Sequence, residues 1–332
     1  MPQRLEQLKF WLTSEAGLPA CDITPASGDA SFRRYFRVTL PDGGSRIAMD
    51  APPEREDCRP FVAVARALRE LGLNAPEIHA EDLEQGFLLL DDLGSCPYLD
   101  ALRDEAAVER LYGDALSALV VIQACGPRGG LPPYDRKLLL SEMALFRHWL
   151  LGEKLGLELT PAEGFMLDAA FDLLADNALE QPQVCVHRDY HSRNLMVTPS
   201  PNPGILDFQD AVIGPVTYDL VSLLRDCYIR WPRERVEEWA MGYFHLAVQS
   251  GVLRPEDEGN FLRWFDLMGI QRHLKAAGIF ARLDRRDGKP GYLKDIPRTL
   301  GYIVEVAASY PELKPLGRFV AERVAPEAEA FL

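Results

Sequence analysis

The spacing of apolar residues changes near residue 99. Before it, short extended runs are separated by turn residues, as in 31–40 and 45–51 on either side of PDGG. Two such runs joined by a glycine-bearing turn predict a β-hairpin. Helical spacing in 1–17 and 58–73 predicts two helices, and the segment 74–94 predicts two further strands, the second over 87–90. The first ninety residues are therefore predicted to form a small β-sheet with one packed helix.

Helical periodicity predominates from residue 99 onward. The spacing predicts helices over 105–124, 136–155, 161–180, 216–228, 233–250, 256–283 and 296–309. The exception is 184–208, where short strand-like runs alternate with Pro, Gly and Asn. Irregular segments on a rigid scaffold often carry functional groups, so we expect the chemistry of the protein in this segment.

Three oxygen-bearing side chains stand out in that segment. Asn194 follows Asp189 after five residues, and Asp207 comes thirteen residues later. An amide oxygen and a carboxylate on neighbouring short strands suit Mg²⁺, which prefers oxygen ligands and few protein contacts. Asp189 would then receive the proton of an attacking hydroxyl, as in phosphoryl transfer. The alternative is that Asp189 and Asn194 form turns and that Asp207 caps a loop.

Composition narrows the possible partners and location. The 332 residues are 47% apolar and 26% charged, as in an ordinary globular protein, and the net charge is −14. Such an acidic chain is a poor general binder of nucleic acid. The six cysteines are scattered without a CxxC pair, which excludes the usual zinc spacing and is typical of a reducing compartment. No signal peptide or membrane span is evident, so we expect a cytoplasmic protein with no membrane, nucleic-acid or obligate protein partner.

The motifs HRDYHSRN (187–194) and ILDFQD (205–210) resemble the catalytic and metal motifs of the aminoglycoside phosphotransferase/choline kinase family, which is related to protein kinases. The similarity extends over nearly the whole chain. It implies an α+β, two-lobed protein-kinase-like fold. A small antiparallel β N-lobe (1–92) would cover the nucleotide, and a larger, mainly helical C-lobe (93–332) would follow a hinge near 91–98. It also implies ATP and Mg²⁺ as cofactors.

The resemblance assigns a role to individual residues. Asp189 would be the catalytic base, Asn194 and Asp207 the metal ligands, and His187 and Asp219 the structural support of the catalytic loop. The expected nucleotide-binding residues are Ser27, Gly28, Asp29, Ala30, Ser31, Arg33, Ala48, Leu90, Asp91 and Leu93, with Ala48 and Leu90 packing on the adenine faces. The candidate substrate-binding residues are Tyr190, His191, Asp210, Arg272 and Lys275.

One position departs from the family pattern. Kinases place a Lys at the end of the third strand, but this chain has Asp50 there and no Lys from residue 10 to residue 136. Either Arg33 or Arg34 supplies the missing cation, or the chain is a non-catalytic nucleotide-binding protein. Because no Lys–Glu pair of the usual kind is expected, Glu54 and Glu56 are predicted to be solvent or lobe-contact residues.

Several shorter blocks narrow the resemblance. SGDASFRRYFR, GFLLLDDLG and DLMGIQRHLKAAGIFARL resemble the bacterial kinases that phosphorylate the anomeric hydroxyl of N-acetylmuramate or N-acetylglucosamine in peptidoglycan recycling. This implies an ATP-dependent kinase of a small amino sugar. Arg272, His273 and Lys275 could then meet the lactyl carboxylate of N-acetylmuramate, although an ordinary charged helix face fits them equally well. A kinase of an aminoglycoside, choline or homoserine remains an alternative, and the acidic composition favours it.

Overall fold

The computed structural model describes residues 2–19, 21–28 and 32–330, with the backbone alone at residues 2, 3, 27 and 28. The chain divides into two compact units. The first unit combines the chain up to Asp114 with Arg193–Asp210, and the second contains Ala115–Ser192 and the chain from Ala211 onward. A boundary between lobes at residue 92 stays a prediction.

An antiparallel sheet forms the body of the first unit. Its strands are β1 (Asp22–Gly28), β2 (Arg34–Thr39), β3 (Ser45–Asp50), β4 (Ile78–Asp82) and β5 (Phe87–Asp91). The strand order is β1-β2-β3-β5-β4. β2 and β3 pair across the PDGG turn, which confirms the predicted hairpin, and β5 confirms the strand predicted over 87–90.

The first unit also contains helices and one short strand pair. The helices are α1 (Pro2–Ser14), α2 (Arg59–Glu70), α3 (Tyr98–Ala101) and the first part of α4 (Glu105–Cys125). α1 and α2 confirm the helices predicted near the N-terminus and over 58–73. Within the irregular segment, strands β6 (Gln183–Val186), β7 (Leu195–Met196), β8 (Gly204–Ile205) and β9 (Val212–Pro215) form two pairs. β7 pairs with β8 in the first unit, and β6 pairs with β9 in the second.

Helix α1 covers one face of the large sheet. Its apolar side chains Leu8, Trp11 and Leu12 are buried against Ala48 and Phe87, together with Phe36, Val38 and Leu89. Side chains alternate between the two faces of a strand, so this packing decides which residues of β3 point toward α1. Ala48 lies on the α1 face, and its neighbours in sequence point to the other face.

The second unit is mainly helical. Its remaining helices are α5 (Arg136–Leu145), α6 (Pro161–Glu180), α7 (Tyr218–Leu224), α8 (Arg233–Gln249), α9 (Glu258–Arg285), α10 (Ile296–Ala307), α11 (Lys314–Phe319) and α12 (Ala325–Glu329). The helix predicted over 136–155 changes to π-helical turns at Phe146–Lys154, and a second π-helical segment spans Val320–Val324. Short 3₁₀ segments occupy Pro255–Asp257, Pro290–Asp295 and Pro311–Leu313.

Helix α9 is the longest helix of the second unit and is buried along most of its length. It approaches the end of α5 closely at Gly278, where an added Cβ would lie 2.4 Å from the carbonyl carbon of Leu145. A side chain there would collide with backbone, so glycine permits this close approach. Gly278 follows Lys275 on α9 by about one helical turn, so the close contact lies next to the part of the helix that carries Arg272 and Lys275. No helix among the described residues has the length and apolar character that crossing a bilayer requires.

Candidate active site

The loop that follows β6 is held by a carboxylate of α7. Asp219, in the first turn of that helix, is fully buried and accepts hydrogen bonds from the backbone N–H groups of His187 at 2.7 Å and Arg188 at 2.9 Å. Burial raises the pKa of Asp219 to about 7; the two N–H groups act against this rise, and the charge of Asp189 adds to it. Asp219 therefore has the contacts that a residue supporting this loop requires.

Arg188 has an unusual backbone conformation. Its φ is 75°, and among the described residues only Arg188 and Asp207 are non-glycine residues with positive φ. This region is unfavourable for a long side chain and persists only where the surroundings impose it. The guanidinium of Arg188 pairs with the buried carboxylate of Glu142 on α5, and the backbone N–H of Asp189 donates to Nδ1 of His187 at 3.2 Å. Arg188, which directly precedes the predicted base Asp189, is thus held by Glu142 of α5, and Asp189 itself is linked to His187 within the loop.

The prediction that Tyr190 binds substrate is wrong. Its side chain is fully buried, its ring packs edge-on against that of His187 at 5.5 Å, and its hydroxyl donates to the carbonyl oxygen of Ala115 at 2.8 Å. Tyr190 therefore belongs to the core beneath the loop. His187 is buried beside it, and its role as a structural support of the loop stays a prediction.

A pocket of the second unit contains Asp189. Its lining joins the loop, the start of α7 and one face of α9: Asp189, His191, Tyr218, Cys227, Tyr228, Arg272, Lys275, Ala276, Ile279 and Phe280. Three predicted substrate-binding residues, His191, Arg272 and Lys275, thus line the same pocket as the predicted base. Both Arg272 and Lys275 are buried, which excludes the alternative of an ordinary solvated helix face.

Lys275 is part of a buried polar network beside Asp189. Its Nζ lies 3.1 Å from Oε1 of Glu142 and donates to the hydroxyl of Tyr218 at 2.8 Å. Glu142 also pairs with Arg188 and accepts a hydrogen bond from Tyr134. Burial is the largest single effect and would lower the pKa of Lys275, but Glu142, Tyr218 and Asp189 together outweigh it and the pKa is raised. Lys275 therefore remains charged in the pocket.

These charges keep Asp189 ionised. Burial favours the neutral carboxyl group, but Lys275 and then His191 and Arg188 favour the carboxylate more strongly. The pKa of Asp189 therefore lies below its ordinary value. At neutral pH the pocket presents a carboxylate that can accept a hydrogen bond, and then a proton, from a bound hydroxyl.

The two predicted metal ligands meet in the first unit. Asn194 Nδ2 lies 3.2 Å from Oδ2 of Asp207, and the backbone N–H of Leu206 donates to the carbonyl oxygen of Asn194 at 2.9 Å. Asp207 has a φ of 63°, and its Oδ1 accepts a hydrogen bond from Gln209 at 2.8 Å. The ring of Phe208 packs against Phe61 of α2 at 4.8 Å. The β7–β8 pair thus brings together two side chains that are thirteen residues apart.

The donor set at Asn194 and Asp207 fits Mg²⁺. The amide nitrogen of Asn194 faces the Asp207 carboxylate, and turning the amide over would place its oxygen there, so the pair would offer two hard oxygen ligands. No group of three or more His, Cys, Asp or Glu side chains within the described ranges is arranged to hold a metal ion. A cation at this pair would therefore take its other ligands from phosphate oxygens and water, as Mg²⁺ commonly does.

Arg33 lies next to the Asn194–Asp207 pair. Its Nη1 is 3.8 Å from Oδ1 of Asp207, and its Nε is 3.3 Å from Oε2 of Glu56. Glu56 also accepts a hydrogen bond from the backbone N–H of Phe32 at 3.1 Å. Its side chain is 15% exposed, so of the two alternatives predicted for Glu56, a solvent or a lobe-contact residue, the first is wrong. The sequence gives no sign of this Arg–Glu pair because both residues lie in irregular segments.

Arg34 is engaged elsewhere. Asp50, fully buried at the end of β3, pairs with Arg34 and with Nε of Arg4 in α1 at 2.6 Å. Arg34 lies opposite Asp50 in the β2–β3 register, and both are on the α1 face of the sheet. Asp50 therefore points away from the other face, where its neighbour Met49 lies. Of the two candidate cations, only Arg33 contacts the predicted metal ligands.

The strand register corrects one nucleotide-site residue. Ala48 pairs with Leu89 and Ile47 pairs with Leu90, so Ala48 and Leu90 lie on opposite faces of the sheet. Ala48 is fully buried under α1, and the prediction that it packs on adenine together with Leu90 is therefore wrong. Ile47, which is partly buried, is the β3 residue that lies on the same face of the sheet as Leu90.

The other predicted site residues remain predictions. The backbone N–H of Asp91 donates to the carbonyl oxygen of Glu77 at 3.0 Å, so it is already engaged, and Leu93 is half-buried. Asp210 is exposed and belongs to the first unit. Ser27 and Gly28 end β1, with only their backbone described, and the predicted residues Asp29, Ala30 and Ser31 lie outside the described residues.

The family model described as the phosphotransferase enzyme family matches residues 22–256. The chain belongs to this phosphotransferase family. Its match includes the Asp189 loop, the Asn194–Asp207 pair, the large sheet and Arg33, and it confirms the resemblance inferred from the motifs.

Named relatives extend over almost the whole chain. A protein of Pseudomonas putida named N-acetylmuramate/N-acetylglucosamine kinase is 48% identical over 329 residues, which cover 96% of each chain. A protein of the same name from Neisseria meningitidis is 43% identical over 328 residues, covering 98% of this chain and 97% of the relative. The crystal structure of choline kinase LicA from Streptococcus pneumoniae has a TM-score of 0.64 at 14% identity, over 93% of this chain and 99% of that one. This likeness confirms the kinase-like α+β fold.

Proposed function

We propose that this phosphotransferase moves the γ-phosphoryl group of ATP to the anomeric hydroxyl of N-acetylmuramate or N-acetylglucosamine and releases the sugar 1-phosphate and ADP. The observation that carries the proposal is the position of Asp189 in a pocket that also contains Arg272 and Lys275, whose charges lower its pKa. The names of relatives that are 48% and 43% identical over nearly the full length support the substrate class.

Asp189 acts on the sugar hydroxyl. It accepts a hydrogen bond from that hydroxyl, directs the oxygen toward the γ-phosphorus and takes the proton as the new oxygen–phosphorus bond forms. The bond between the γ-phosphorus and the bridging oxygen of ADP breaks in the same transfer. An anomeric hydroxyl is more acidic than an ordinary alcohol, so a carboxylate with a lowered pKa is a sufficient base.

We assign the binding of the nucleotide phosphates to residues of the first unit. Asn194 and Asp207 would hold Mg²⁺, which supplies positive charge to the β- and γ-phosphates when bound. Arg33 adds a fixed guanidinium, and Glu56 holds it in place as the usual glutamate holds the kinase lysine. Arg33 thus replaces the absent third-strand Lys, while the Asp50–Arg34 pair stabilises the opposite face of the sheet.

Replacing Arg33 by Met tests this assignment. A hydrogen bond to a charged group contributes about 1.5–3 kcal/mol, so KM for ATP should rise about tenfold or more, with only a small change in KM for the sugar. Steady-state kinetics with each substrate varied in turn measure both values. Arg66→Met removes an exposed α2 side chain that pairs with Glu81, and should leave both constants unchanged. Arg33→Met with KM for ATP and kcat within twofold of wild type would exclude Arg33 from the nucleotide site.

A kinase of a cationic substrate is the second candidate, and the net charge of −14 favours it. The pocket favours the sugar instead, because Arg272 and Lys275 would repel choline or an aminoglycoside. Transfer of labelled phosphate from ATP, measured in parallel for amino sugars, aminoglycosides, choline and homoserine, separates the candidates. We expect product only with the amino sugars. A non-catalytic protein would instead be stabilised by ATP and transfer phosphate to none of them.

A cytoplasmic location is part of the proposal. The reaction consumes ATP, and the six cysteines are all unpaired thiols, as is usual in a reducing compartment. The proposed partners are ATP and the small amino sugar alone.

A further inference from the structure

Three arginine and lysine side chains of the second unit are buried: Arg225, Arg272 and Lys275. Arg225 pairs with Asp266, and Lys275 pairs with Glu142. Arg272 differs from both, because no carboxylate of the described residues lies within ion-pair distance of its guanidinium. Removing a charge from water is costly, and buried charges are normally paired. An unpaired buried guanidinium therefore requires an explanation.

The contacts that Arg272 does make are weak. Its Nη1 donates to the sulfur of Cys227 at 3.7 Å, and its Nε is buried without a hydrogen-bond partner. The residue is only 6% exposed, and it lines the pocket that contains Asp189. The pocket wall thus contains a permanent cation, Arg272. Its Nε–H group has no acceptor in the protein. A bound anionic group would provide the missing acceptor and the opposite charge.

The neighbouring cation is not equivalent. Lys275 is already held by Glu142 and by the hydroxyl of Tyr218. His191 packs against the ring of Tyr228 at 5.4 Å, and its backbone N–H donates to the carbonyl oxygen of Asp189 at 3.0 Å. The acidic residue of the pocket lining is Asp189, and its proposed role is to accept the proton of the sugar hydroxyl. The charges of Asp226 and Asp189 act on Arg272 without a hydrogen bond or ion pair to it among the described residues, so the Nε–H group of Arg272 has no acceptor and can bind a ligand.

We propose that Arg272 binds the carboxylate of an acidic amino sugar and so makes the enzyme prefer N-acetylmuramate over N-acetylglucosamine, which has no carboxylate. This inference rests on the proposed function. A planar guanidinium binds a carboxylate through two parallel hydrogen bonds, and this geometry suits recognition of a lactyl group. The specificity arises because a sugar without the carboxylate leaves the buried cation unpaired.

The test compares Arg272→Gln with wild type on three substrates: N-acetylmuramate, its uncharged methyl ester, and N-acetylglucosamine. We expect kcat/KM for N-acetylmuramate to fall 10- to 100-fold in the variant, while the values for the ester and for N-acetylglucosamine stay within about threefold. The preference of wild type for the acid over the ester should disappear. Arg272→Lys should restore part of it. Arg285→Gln, at the exposed end of the same helix, is the matched control and should change nothing.

Two results would overturn the inference. An equal loss on all three substrates would mean that Arg272 acts through Asp189 or through folding, and an unchanged preference for the acid would mean that it does not contact the carboxylate. Unchanged turnover of N-acetylglucosamine serves as the check on folding. Failure of wild type to phosphorylate either sugar would contradict the proposed function instead. In that case calorimetry with N-acetylmuramate still decides the role of Arg272, since binding should weaken in Arg272→Gln and an equal affinity would refute it.

Discussion

Asp189→Asn should lower kcat about 10²- to 10⁴-fold, the range in which a positioned general base contributes. The substitution keeps the size of the side chain but removes the lone pairs of the carboxylate that receive the proton. Lys275 and the other charges that hold the pKa of Asp189 below its ordinary value are retained. The dissociation constant of ATP, measured by calorimetry, should change little, because the phosphates are assigned to the first unit. Steady-state kinetics with N-acetylmuramate measure the loss.

The control for this variant is Asp172→Asn. Asp172 is an exposed residue of α6 whose carboxylate pairs with Arg136. The Asp172→Asn enzyme should therefore retain full activity. Circular dichroism and the thermal midpoint of each variant show whether the fold is intact. An Asp189→Asn enzyme that keeps more than about a tenth of the wild-type kcat would remove this residue from the chemical step. Because the pKa of Asp189 lies below its ordinary value, its titration should not shape the pH dependence of the wild type near neutrality.

Asp207→Asn should lower kcat at least about a hundredfold and raise the Mg²⁺ concentration needed for half-maximal rate. The physical reason is the loss of the one negative charge in the Asn194–Asp207 pair. Asn tolerates the left-handed backbone conformation found at residue 207, so the variant tests the charge rather than the local fold. Rates measured across a Mg²⁺ titration at saturating ATP and sugar provide the comparison.

Asp100→Asn is the matched control for Asp207→Asn. Asp100 is an exposed residue of α3 whose carboxylate pairs with Arg103 on the surface. The Mg²⁺ dependence of the Asp100→Asn enzyme should therefore equal that of wild type. A Mg²⁺ dependence of Asp207→Asn that coincides with wild type, at comparable kcat, would show that the cation is not held at this pair.

The sequence predicted the parts of the fold that depend on local periodicity. The β2–β3 hairpin follows from two extended runs around PDGG, and α6 follows from its apolar spacing and from Thr160, which forms a capping box with Glu163. Asp219 could be predicted at a helix start because it directly precedes the mainly apolar run LVSLL, and it lies in the first turn of α7. Such features are decided within a few residues of the chain.

Features that depend on tertiary packing could not be predicted in this way. The face of β3 that meets α1 decides that Ala48 and Asp50 point toward the helix, and nothing within the strand sequence indicates this choice. The Arg33–Glu56 pair joins residues from two irregular segments. Glu142 is different, because it shares the buried face of α5 with Leu139 and Met143. An acid on an apolar stripe signals a buried ion pair, and that signal was present in the sequence.

The most direct test of the account identifies the atom that receives the phosphate. Wild-type enzyme is incubated with ATP, Mg²⁺ and N-acetylmuramate, and the product is examined by phosphorus NMR with detection of the coupled protons. We predict a new phosphate ester whose phosphorus couples to the anomeric proton, with one ADP released per ester formed. An ester on any other carbon, or release of ADP with inorganic phosphate and no ester, would contradict the assignment of a sugar 1-kinase.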